Sequence, residues 1–288
     1  MTDPPAPGSP ISGSPAPGFP AAGSRTPPSP DPPPGGSGEA ARQTTVWRAA
    51  GQPWLSREGV LLALAAAAAT GMLGAAAMIF LYAPEDALQG PVQRIFYVHV
   101  SSAIAAYACF ALVLGGGIGY LWRGSLRADR LGRAAALVGL VFTTNAIALG
   151  IVWAKPIWGW DPTYPWDARF TSTVVLWAVY AGYLLVRKFA APGRQARRLA
   201  AVVGIVGFVD VPVVHFSVQW WRTLHPGPVV DAQGGPALPA PMLYTFLVTL
   251  AAVLFLAAVL VAIRYRIEAR RDERSERAVA VALELAAR

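Results

Sequence analysis

The chain has only three imidazoles, His99, His215 and His225, and each lies near one end of a long apolar run. A neutral imidazole offers one ring nitrogen to a transition metal, and two of them from different segments can hold haem iron from both faces. Between His99 and His215 runs WAKPIWGWDPTYPWDARFTS, residues Trp153 to Ser172. It carries four of the ten tryptophans (Trp153, Trp158, Trp160 and Trp166) together with Lys155, Asp161, Asp167 and Arg169. Indoles exposed to water cost free energy unless they meet a membrane interface or a flat ligand, so a spacer is a poor reading of this stretch. Arg94, Lys155, Arg169 and Arg222 are cations of the kind that hold carboxylates through charge-assisted hydrogen bonds. Imidazoles, flat walls and a cationic rim together suit a haem and its propionates. The same residues have plainer uses: tryptophan belts anchor membrane proteins, surface cations meet lipid headgroups, and His215 suits an interface hydrogen bond. On residue types alone both readings stay open.

The elements that would position these groups are membrane spans. With 55% apolar and 14% charged residues, the chain is too apolar for soluble domains, and several runs exceed the roughly 18 residues that mark a span. The net charge of +8 comes from basic residues scattered between apolar runs, which speaks for membrane orientation and against nucleic acid. Cys109 is the only cysteine, so an internal disulfide, a thiolate zinc site and a CxxC pair are excluded. No CxxCH occurs, so any haem is held non-covalently, as haem b.

In chain order, residues 1–50 read as a disordered cytoplasmic tail, with thirteen of the 26 prolines before residue 46 and no signal-peptide pattern. Spans are expected at about 60–82, 94–122, 134–153, 171–186, 199–218 and 242–263, within a six-helix domain over 55–266. A basic cytoplasmic tail follows at 267–288. Gly71, Gly74 and Gly115 to Gly117 read as close-packing positions. Asp210, a carboxylate about two turns inside an apolar helix, calls for a partner or a cavity. The expected class is an all-α membrane protein with six transmembrane helices, two aromatic extracytoplasmic loops and a disordered N-terminal tail.

Six spans put both termini on one side, and arginine placement selects it. Arg123, Arg127, Arg130 and Arg133 follow the second span, Arg187, Lys188, Arg194, Arg197 and Arg198 follow the fourth, and seven arginines follow Ile263. By the positive-inside rule the tails are cytoplasmic and both aromatic loops face outward, at the depth of the histidines.

Four motifs in this order, QRIFYVHV around His99, WAKPIWG followed by WDARFTS, LWAVYAGYLLVR, and VPVVHFSVQWWRTLHP, resemble the WWD-loop family of haem-handling membrane proteins. Within it the chain is most similar to CcmC, the haem exporter protein C of cytochrome c maturation, a relative of CcsA-type assembly proteins. The likeness covers about Arg94 to Pro226. It implies axial ligation of haem iron by His99 and His225. Trp158, Trp160, Tyr164, Trp166, Asp167 and Arg169 would form the loop that holds the haem, with Arg94 at its rim. It also implies an inner-membrane location and delivery to the haem chaperone CcmE, in concert with the ABC-type pair CcmA and CcmB and with CcmD. The role is one of binding and delivery, not enzymatic catalysis. The family loop commonly reads WGTWWVWDAR, whereas WGWDPTYPWDAR here is two residues longer. Two other roles remain: a CcsA-like subunit of a haem–cytochrome c synthase, or an ABC-type haem permease subunit. The permease needs a polar cavity reaching the inner half, where these spans are almost purely apolar.

Overall fold

Apolar runs dictate helices here, because backbone groups inside a bilayer can only be satisfied within a helix or a closed barrel. In the computed structural model six helices are long and apolar enough to cross a membrane: Gly59–Tyr82, Pro91–Arg123, Leu126–Trp158, Ala168–Phe189, Arg194–Trp220 and Ala240–Ala286. The structure describes residues 58–159, 166–190, 193–221, 224–225 and 238–287, among which there is no β-strand. The all-α, six-span class is therefore as the sequence indicates. The proposed N-terminal tail lies outside the described residues.

The helices are α1 (Glu58–Ala77, ending in a π-helical turn, Met78–Tyr82), α2 (Ile95–Arg123, after a 3-10 turn, Pro91–Arg94), α3 (Leu126–Trp158), α4 (Ala168–Phe189), α5 (Arg194–Phe208), α6 (Asp210–Trp220) and α7 (Ala240–Ala286). α2 and α3 form the most intimate pair, with α7 packed on both and α1 lying chiefly along α7. Glycine permits that intimacy: a Cβ on Gly116 would stand 2.7 Å from the Ala128 carbonyl oxygen and 3.0 Å from the Gly132 nitrogen. Both obstacles are backbone, so no side-chain shift could make room. Deeper in the bundle Phe110 stacks on Tyr180 at 3.7 Å, and the Tyr180 hydroxyl donates to the Gly204 carbonyl at 3.2 Å.

Besides α3, which runs on past its expected end at Trp153 to Trp158, three features differ from the apolar-run reading, each for a local reason. The basic loop expected before residue 134 shrinks to Gly124 and Ser125. Gly124 takes the left-handed turn (φ 63°), Ser125 caps α3 by accepting from the Ala128 amide at 3.2 Å, and helix starts at Leu126. The fifth span carries a local flaw. Pro212 has no N–H for the Phe208 carbonyl and its ring crowds that carbonyl, so the α-helical ladder is interrupted at Val209, whose amide bonds to the Val206 carbonyl at 3.1 Å while its backbone stays helical (φ −60°, ψ −27°). Asp210 becomes the first residue of α6, where the helix dipole favours a carboxylate.

The third difference is the C-terminal stretch expected as a basic tail. It continues α7 as one helix of 47 residues, about 70 Å long. An ion network holds it. Arg133 donates to both Asp272 oxygens at 2.8 and 2.9 Å and lies 3.2 Å from Glu268, while Arg130 reaches Asp272 at 3.0 Å. Asp129 takes both guanidinium arms of Arg187 at 2.8 Å, tying α3 to α4. Arginines that the sequence presents only as orientation signals therefore also fasten one end of the bundle.

Candidate functional site

At the other end of the bundle His99 sits in the second turn of α2, facing α3. Its Nδ1–H donates to the Ala146 carbonyl at 2.9 Å, which places the ring's lone pair on Nε2. One turn below, the Asn145 amide donates to the Ser102 hydroxyl at 2.8 Å, and that hydroxyl donates to the Val98 carbonyl at 2.7 Å, locking α2 against α3. Trp153 meets the His99 ring edge-on, with centroids 5.8 Å apart. Its indole N–H donates to the Gln89 carboxamide oxygen at 2.8 Å. Gln89 is placed in turn by Asp86, whose carboxylate accepts the Leu88 and Gln89 amides at 2.9 and 2.8 Å.

His225 is held by a different device. Asp167 caps α4, its Oδ1 accepting the Arg169 and Phe170 amides at 3.0 and 3.2 Å. The same oxygen accepts from His225 Nδ1 at 3.1 Å, and Oδ2 accepts the Leu224 amide at 2.8 Å. The Asp167 side chain is 1% exposed, so this carboxylate is an internal clamp joining the start of α4 to the segment after α6. With Nδ1–H donating, the lone pair of His225 also belongs to Nε2. Trp158 stands edge-on to this ring, with centroids at 5.4 Å.

Both imidazoles line one cavity of about 700 Å³, within the range that holds cofactors and drug-sized ligands. Its walls come from α2, α3, α4, α6, α7 and the 86–93 segment. Arg169 is the one cation among its described lining residues. One of its guanidinium nitrogens donates to the His215 carbonyl at 2.8 Å, while its buried Nε has no hydrogen-bond partner, a donor that a ligand carboxylate would satisfy. Among the described residues no three His, Cys, Asp or Glu side chains converge as ligands for a bare ion. A pair of imidazoles suits a metal that arrives with its equatorial ligands in place, as haem iron does.

The structure brings His99, His225, Trp158 and Arg169 to this cavity, with Asp167 directly behind His225. Trp166 lies away from it, 81% exposed, and Arg94 is not among the lining residues and sits 3.6 Å from Glu85. Trp160 and Tyr164 fall outside the described residues, as do Asp161 and Arg222. His215, which the sequence left between a metal-facing imidazole and an interface residue, also lines the cavity. Residue types alone miss the Ala146 carbonyl, since a backbone acceptor leaves no mark in composition. Gln89 and its hydrogen bond to Trp153 are missed for the opposite reason: ordinary residues acquire their roles from long-range packing.

Residues 48–280 match the sequence profile of the family described as Heme exporter protein C. The chain is 35% identical to the heme exporter protein C of Bradyrhizobium diazoefficiens over 224 residues, covering 76% of this chain and 80% of the relative. It is 36% identical to that of Escherichia coli K12 over 190 residues, 65% of this chain and 74% of the relative. A ccmC-like mitochondrial protein of cytochrome c biosynthesis in Marchantia polymorpha is 31% identical over 62% of this chain and 74% of its own length. By its profile and its relatives, the chain belongs to the heme exporter protein C family.

Proposed function

We propose that this protein binds haem b non-covalently between His99 and His225 and presents it for cytochrome c maturation. The observation that carries the proposal is the matched placement of the two imidazoles. Each spends Nδ1–H on a fixed acceptor, Ala146 O or the Asp167 carboxylate, and each lines the same cavity. Such outer partners fix the tautomer and orientation of a ligating ring and raise its basicity. Trp153 and Trp158 flank the two rings, and Arg169 supplies the charge for a propionate. Haem contributes the iron that the imidazoles would hold; the chain's own residues bind, orient and shield it. Since binding is non-covalent and ligation by imidazole is reversible, the same site can release its cargo. Nothing in this chemistry breaks a covalent bond, so the role is delivery, not catalysis.

The arginine-rich end of the bundle is the cytoplasmic one in this reading, which places the cavity at the extracytoplasmic face of the inner membrane. Delivery is to the haem chaperone CcmE, with CcmA, CcmB and CcmD as further subunits, as the family resemblance implies. The test is the absorption spectrum of mildly solubilised protein. Wild type gives the low-spin spectrum of bis-imidazole haem, whereas His99→Ala and His225→Ala give five-coordinate or water-ligated haem that is lost more readily. Wild-type spectra and occupancy in both variants would end the proposal.

A further inference from the structure

The cavity is unevenly walled. Its most exposed lining residues are His215, Gln219, Leu224 and Leu247, which lie on α6, just after it, and on α7. These two walls are also the ones that scarcely touch. α6 packs on α4 and on the α5 it follows, whereas α2, α3 and α7 pack on one another. The change of neighbours comes at Val209: α5 lies along α2, whereas α6 packs on α4 instead. A side mouth into the cavity results, bounded by His215 and Gln219 on one helix and Leu247 on the other.

Depth identifies what faces the mouth. Trp220, Trp221 and Tyr244, all more than half exposed, are the aromatic belt of this end. His215 lies about 8 Å below Trp220 along α6, and Leu247 about 10 Å from the start of α7. The mouth therefore opens beneath the belt, toward the upper acyl chains. Behind it the walls are apolar, with Ile104, Ile147, Val214 and Leu250. The way toward the arginine end is shut below Tyr107 by the stacked, fully buried Phe110 and Tyr180.

We infer that haem enters sideways, from the outer leaflet of the bilayer, through the gap between α6 and α7; this rests on the cavity being the haem site. A flat amphiphile dissolved among lipids has its macrocycle in the acyl region and its carboxylates near the headgroups. That division matches a mouth with an apolar interior and polar His215 and Gln219 at its edge. Arg169, bonded to the His215 carbonyl, stands where a carboxylate passing the rim would meet it.

The experiment compares rates of loading. Apoprotein in lipid nanodiscs is mixed with vesicles whose bilayer carries haem, and growth of the bis-imidazole Soret band is followed. Leu247→Trp narrows the mouth and is expected to slow loading on the order of tenfold, the effect of about 1.4 kcal/mol on the entry barrier, and to slow release of bound haem into acceptor vesicles by a similar factor. Leu247→Ala widens it and should speed loading; this variant carries the test if the tryptophan variant does not assemble. Wild-type rates in both variants overturn the inference and leave the gap as a seat for a partner helix. A lowered endpoint at wild-type rate overturns it as well, making Leu247 part of the binding wall. Failure of the underlying reading looks different: wild type itself would never develop the bis-imidazole band, or His99→Ala would develop it unchanged.

Discussion

Replacing Asp167 by Asn separates the clamp from the cap. Asn caps a helix about as well as Asp does, so α4 should start where it does now. What changes is the supply of acceptors. The carboxylate serves the Arg169 and Phe170 amides, His225 Nδ1 and the Leu224 amide. A carboxamide has one accepting oxygen, and its NH2 must face either Leu224 N–H or His225 Nδ1. If it faces the amide, two buried donors oppose each other at a cost of about 1–3 kcal/mol. If it faces the imidazole, it also turns a donor on the Arg169 and Phe170 amides and forfeits the cap, and the ring must adopt its other tautomer, with the proton on the nitrogen that haem iron would require. Either arrangement weakens the site, and loss of such an outer partner typically lowers metal affinity about 10–100-fold. The assay is haem titration of purified apoprotein followed by the Soret band, with thermal unfolding measured alongside. Because Asp167 acts through His225, the loss of affinity should vanish when Asp167→Asn is made in a His225→Ala background. Wild-type affinity in the single variant, or an equal loss in both backgrounds, would refute the clamp and return Asp167 to helix capping alone.

Two further outcomes follow from the ends of the bundle. Asp129→Asn strands Arg187, a pair whose side chains are 5% and 10% exposed, and breaking a buried pair costs about 3–5 kcal/mol. Arg133 and Arg197 remain nearby, so a lower unfolding temperature is expected without a change in the haem spectrum, Asp129 being about 25 Å along α3 from Ala146; altered ligation would contradict that separation. Pro212→Ala restores an N–H to the Phe208 carbonyl and removes the clash that breaks the span. Thermal stability should rise, and haem capacity should fall if the interrupted ladder at Val209 sets where α6 lines the cavity; undiminished capacity would show that it does not shape the site.

Legibility followed the range of the interactions. Six spans could be read because the bilayer requires long apolar runs, and the arginine clusters because charge is written in residue type. The histidines stood out as rare, polar and near helix ends. What escaped depends on partners distant in the chain. Nothing local says that Arg133 will meet Asp272 or Glu268, so residues 267–288 read as a tail although α7 runs on to Ala286. Pro212 was visible, but an apolar run on both sides masked its effect on α6. Asp167 could be read as part of a loop, yet its bond to His225 spans 58 residues. Trp166, grouped with its neighbours by composition, lies exposed and away from the cavity.

The two ends of the molecule are built for opposite demands. At the arginine end, backbone contacts at Gly116 and a shared set of carboxylates fix α3, α4 and α7, and a single missing atom leaves a charge unpaired. At the histidine end the helix ladder is interrupted at Val209, α6 packs chiefly on α4, and the two imidazoles are oriented by Nδ1 bonds to Ala146 and Asp167. If, as proposed, the cavity takes up and surrenders haem, it cannot be packed to crystal density, since a close-packed interior would have to open for each transfer. Rigidity is instead confined to the few bonds that aim the imidazoles, and the remaining restraint is carried at the far end. Cargo exchange and a stable fold can then coexist on the same helices, because the bonds that aim the ligands are not the bonds that hold the bundle together.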